Sequence, residues 1–181
     1  QLDNGGENIT LLGADGNIIE SFRYNDKSPW PEAPDGNGPS LVRIAPEHRL
    51  NPELASSWRP SVQDNGNPGS SDATSFEGEG QEAILSYALK ELSFNKTNSY
   101  GITQLEGSAD FVFVASIEAN LSADDVAYSI EFSSNLKQWD EGIFLGNIHS
   151  DLSKNTLSWQ SKSSVNGQNS RQFARVKITI R

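Results

Sequence analysis

Apolar and polar residues alternate along two short runs near the start of the chain. Asn8-Ile9-Thr10-Leu11-Leu12 and Ile18-Ile19-Glu20-Ser21-Phe22 flank Gly13-Ala14-Asp15-Gly16-Asn17, which predicts a β-hairpin over residues 8–24. With Asp15-Gly16 as a two-residue type I′ loop, Ile9 would face Phe22, Leu12 would face Ile19, and Leu11 would lie opposite Glu20. Ile9, Leu11, Ile18 and Phe22 would then share the buried face. The face of Thr10, Leu12, Ile19 and Ser21 is only half polar, so partial cover is expected there too. A hairpin alone is marginal in water, and Leu41-Val42-Arg43-Ile44 offers it a third strand.

Further along, periodicity lapses and returns. Residues 66–80 are dense in Gly, Ser, Asn and Pro and poor in bulky apolar side chains, as a linker would be. Ala83, Ile84, Tyr87 and Ala88, extended by Leu92, recur at helical spacing and predict a short helix docked on a neighbouring domain. Beyond Tyr100 the period becomes two: Val126, Tyr128, Ile130 and Phe132 alternate with Ala127, Ser129, Glu131 and Ser133, a strand with one dry and one wet face. Phe111-Val112-Phe113-Val114 is apolar on both faces and reads as a central strand. Leu157 with Trp159, and Ala174, Val176, Ile178 and Ile180, predict two more. The expected fold is all-β: two immunoglobulin-like β-sandwich modules, 1–70 and 100–181, joined over 71–99 by a linker and a short helix.

Composition narrows the chemistry. The 181 residues include 15 Gly and 8 Pro, are 35% hydrophobic and 21% charged, and contain no Cys or Met. This is a globular, loop-rich profile without disulfides, thiol nucleophiles or thiolate metal sites. A formal charge of −10 with 14 scattered Lys and Arg argues against a nucleic-acid partner, which needs a basic face. No run approaches the ~18 apolar residues of a membrane-spanning helix.

Candidate site residues are few. Trp30 lies between Pro29 and Pro31, which hold its backbone extended, and Trp58 closes the same loop-rich stretch. Both read first as fold anchors, since each ring can bury ~150–250 Å². Trp30, Trp58 and Trp159 are also the candidates for stacking a ligand such as a polysaccharide. Trp139 is expected to plug the end of the second module. His48 and His149 have no ligand-spaced partner, and no zinc-protease or nucleophile-elbow motif is present, so a catalytic reading lacks residues. Asp124-Asp125 reads as a solvated acidic pair. Asp35 with Asn37, and Asp64 with Asn65 and Asn67, gather oxygen donors beside glycines and are the candidates for calcium, without the 12-residue spacing of an EF-hand.

Two resemblances follow from motif order. Asn4-Gly5-Gly6-Glu7-x-Ile9-x-Leu11, Asp15-Gly16-x-Ile18-Ile19, Trp30-Pro31, Asp35-Gly36-x-Gly38-x-Ser40-Leu41, Ser57-Trp58-x-x-Ser61 and Asn67-Pro68-Gly69 resemble the lamin-tail domain of large exported bacterial proteins. That family implies an immunoglobulin-like sandwich without catalytic residues or cofactor, serving as a binding or scaffold module. Its Asn-Gly-Gly-Glu strand falls mid-domain, so the opening strands are expected from upstream polypeptide or another chain. Asp125-Val126-x-Tyr128-x-Ile130-Glu131-x-Ser133-x-x-Leu136-x-x-Trp139 and Arg171-x-Phe173-x-Arg175-Val176 resemble a C-terminal β-sandwich module of exported verrucomicrobial and planctomycete-type proteins. The resemblances imply a non-catalytic binding, adhesion or assembly region of an exported bacterial protein, extracellular or at the cell surface. The alternative is a polysaccharide-binding accessory region of a secreted enzyme.

Overall fold

The computed structural model describes residues 3, 5–45, 49–89, 99–147, 155–165 and 171–181. They form eleven strands in several sheets with one short helix, an all-β chain. It divides into two compact units, one of Gln1–Asp72 with Gly146–Leu152, the other of Ala73–Leu145 with Ser153–Arg181.

In the first unit, β1 (Asn8–Leu12) pairs with β2 (Ile18–Arg23), and β3 (Pro39–Arg43) pairs with β4 (Trp58–Asp64). Ile9 faces Phe22 and Leu11 faces Glu20 as expected, but Leu12 pairs with Ile18 across a register shift, not with Ile19. The cause is the turn. The Asp15 carboxylate accepts the Asn17 backbone N–H at 3.1 Å and its amide N–H at 2.7 Å, while Gly16 N–H closes onto Gly13 O with φ at +80°. That wider turn, not a two-residue loop on Asp15-Gly16, leaves Ile19 as the extra residue.

Strand β3 does not extend the hairpin; its hydrogen-bonded partner is β4. Sequence reasoning missed β4 because Pro60 lies within it, and proline ordinarily argues against a paired strand. The ladder tolerates it through a register irregularity, where Ser40 N–H donates to the Ser61 hydroxyl at 2.8 Å. The two small sheets are tied by side chains. Phe22 and Trp58 have ring centroids 4.9 Å apart, and Arg43 Nη1 lies 2.6 Å from Glu20 Oε2. Gly6, at φ +91°, has no room for a Cβ because the Tyr24 carbonyl and Asn25 Cα lie where it would go.

In the second unit, which takes β9 as far as Leu145, one sheet runs β5 (Ser99–Gln104), β6 (Phe111–Glu118), β10 (Thr156–Gln160), β9 (Ile143–Asn147). The other runs β11 (Phe173–Ile180), β7 (Val126–Ser133), β8 (Asp140–Glu141). The doubly apolar run at Phe111–Val114 is thus an inner strand. Ala115 and Ile117 of β6 and Trp159 of β10 share one buried cluster with Ile130 and Phe132 of β7, so the alternation read in β7 does point its dry face at the other sheet.

Helix α1 (Gly80–Leu89) packs within this unit. Ala88 is fully buried against Ala123 and Val126, with Ile178 and Ile180 beside them, so its apolar face serves its own unit. Leu92 lies outside the described residues. The stretch before the helix also carries specific bonds: Thr74 N–H donates to Ser122 O at 2.8 Å and Phe76 N–H to Asp125 Oδ2 at 2.7 Å. Asp125 is therefore not a solvated acid, and Asp124 beside it is 7% exposed. The Tyr87 hydroxyl lies 2.7 Å from both Thr74 O and Asp125 Oδ1. Burial pushes that phenol up to about 12 and raises Tyr128 as well.

Candidate functional site

The three tryptophans singled out for ligand stacking fare differently. Trp30 is 8% exposed and Trp159 is 4% exposed. Trp159 lies inside the core of the second unit, its ring 5.2 Å from that of Phe144, and offers no face to a ligand. Trp30 stands behind Trp58 at 6.0 Å between ring centroids, consistent with its flanking prolines fixing an anchor. Trp58 is half-buried, its indole N–H donated to Pro52 O at 2.9 Å, and it lines a groove.

That groove, about 420 Å³, belongs to the first unit. Phe22, Trp58, Ile9 and Leu41 supply apolar and aromatic wall, while Asp3, Asp26 and Asp35 bring carboxylates. It exists because the root of the hairpin, at the Ile9–Phe22 pair, meets β3 and β4 through Phe22 and Trp58. Among the described residues, no Lys, Arg or His lines it. Just outside, the Lys27 ammonium lies 2.7 Å from Asp26 Oδ2. That hydrogen bond, with the nearby charges of Asp35 and Glu32, raises the lysine above its ordinary value.

The rest of the hairpin is bare. Leu11 is 56%, Leu12 55%, Ile18 66% and Ile19 65% exposed, although Leu11 and Ile18 were expected to be buried. Of the apolar side chains in the two strands, only the root pair, Ile9 and Phe22, is half covered. Sequence patterning assigned the face correctly at the root; it had no means of telling that Trp58 backs only that end.

The calcium candidates do not form a carboxylate cage. Among the described residues no three His, Asp or Glu side chains are grouped to hold an ion. The Asn67 amide donates to the Ser70 hydroxyl at 3.1 Å, the Asn37 amide to Asp35 O at 3.1 Å, and Asn65 N–H to Gly38 O at 2.6 Å. The Asp64 carboxylate lies against Gly38. These are turn-closing contacts of the kind Asn and Asp make locally. His48 and His149 lie outside the described residues.

In the second unit Trp139 is half-buried. The Arg175 guanidinium sits 4.3 Å above its ring while its Nε donates to Glu131 at 2.6 Å, a cation–π contact held in place by an ion pair. Trp139 lines a mainly apolar recess of about 400 Å³ with Tyr100, Phe113, Ile130, Phe173 and Val176, so it borders an opening instead of plugging it. Among the described residues no helix is long and apolar enough to cross a membrane. No family model, curated protein or solved structure matches the chain.

Proposed function

We propose that this chain is a non-catalytic binding and assembly region of a larger exported bacterial protein. In this reading it is built from two immunoglobulin-like sandwich modules, the first akin to lamin-tail domains. The observation that carries the reading is the hairpin. Four large aliphatic side chains, each more than half exposed, crowd one two-stranded sheet. Large aliphatic side chains left exposed on one small sheet mark an interaction surface, and a free strand edge invites a further strand from another segment. Upstream polypeptide, or another chain completing the first module, would cover both.

A polysaccharide platform has less support. Trp30 and Trp159 are buried, so two of the three rings singled out for stacking offer a sugar no face.

Amide hydrogen exchange tests the assembly reading. In the intact parent protein, the amides of Leu11, Leu12, Ile18 and Ile19 are expected to exchange at least tenfold more slowly than in this chain alone. Equal exchange in the two would refute a covered hairpin.

A further inference from the structure

We propose that the groove of the first unit binds a small organic ammonium compound, its apolar stem on Phe22 and Trp58 and its charged head at the Asp26 carboxylate. This stands apart from the hairpin reading, because it concerns the covered root and not the bare tip.

Three observations converge. The groove has the size of a small-molecule site, about 420 Å³, where apolar walls with a few placed polar groups are usual. Among the described residues Asp3, Asp26 and Asp35 belong to its lining and no Lys, Arg or His does, so an anion is disfavoured there. Phe22 and Trp58, with ring centroids 4.9 Å apart, give the apolar stem an aromatic wall.

The chain itself supplies a surrogate. The Lys27 ammonium, on a side chain 75% exposed, sits 2.7 Å from Asp26, whose side chain is only 13% exposed. An ammonium is thus already favoured at the groove's acidic edge. Because Lys27 reaches Asp26 from solvent, a ligand amine entering along the aromatic wall competes with it for the same oxygens.

The test is titration of the full chain with n-hexylammonium, 1-hexanol and hexanoate, followed by calorimetry and tryptophan emission. Saturable binding of hexylammonium is expected, with hexanol about tenfold weaker and hexanoate undetectable. Asp26→Asn is expected to weaken hexylammonium about tenfold, and Lys27→Ala to tighten it about threefold by vacating Asp26. Near-UV circular dichroism checks that both variants keep the fold, and the comparison of the three ligands needs no variant. Equal affinity for ammonium and alcohol, or no saturation by hexylammonium, overturns the proposal. So does binding of a cello-oligosaccharide or a lysine-bearing peptide without binding of hexylammonium, and so does an affinity unchanged or weakened by Lys27→Ala.

Discussion

Arg59 and Asp72 illustrate how much one pair can hold in a unit with a thin core. Both side chains are less than 9% exposed; Arg59 Nη2 lies 2.5 Å from Asp72 Oδ1, and Asp72 Oδ2 accepts the Val62 N–H at 2.8 Å. The last residue of the Gln1–Asp72 segment is thereby pinned to β4. A buried guanidinium that loses its facing carboxylate is expensive to keep charged, so Asp72→Ala is expected to destabilise the first unit by about 3 kcal/mol. Urea unfolding followed by tryptophan emission measures it; a change below about 1 kcal/mol would mean the pair is solvated. Neither residue stood out in the sequence, because an Arg and an Asp thirteen positions apart in a polar stretch carry no periodicity. Trp30 did stand out, and for a sound reason: prolines on both sides leave a large ring little choice but to anchor a loop.

Helix α1 shows the same contrast between local pattern and neighbours. Ala83, Ile84, Tyr87 and Ala88 suffice to specify a helix, yet nothing in their spacing says what covers it. The answer is Ala123 and Val126, with Ala88 fully buried between small side chains and its carbonyl accepting the Tyr128 hydroxyl at 2.8 Å. Ala88→Leu therefore forces extra volume into a closed contact. A loss of about 1–3 kcal/mol from the second unit is expected, read by thermal or urea unfolding; a neutral result would show that the helix lifts readily from β7 and β11. In the hairpin, strand identity and most of the register were legible from alternation and from Gly16. The bulge at Ile19 was not, because it depends on which donors the Asp15 carboxylate captures.

Taken together, the two units set opposite limits on pH stability. Arg59 and the Val62 N–H hold the Asp72 carboxyl below its ordinary 3.8, with the arginine hydrogen bond the largest cause. Its contribution is therefore complete above that value and is lost as pH falls through the lowered one. Burial raises Tyr87 from 10.0 to about 12 and raises Tyr128 further. Their contribution is complete below 10.0 and lost as pH rises through the raised values. Unfolding temperature should thus be flat between these limits on account of these groups, with Asp72→Asn flattening the acid limb and Tyr87→Phe the alkaline one. Wild-type-like limbs in both variants would sink the assignment. Sequence alone settled the all-β character, the strands β6, β7, β10 and β11 and the anchoring of Trp30, because alternation and proline act within a few residues of themselves. Tertiary structure decided the pairing of β3 with β4, the bare hairpin tip, the acid-lined groove and the burial of Asp124, since each depends on residues distant along the chain meeting in space.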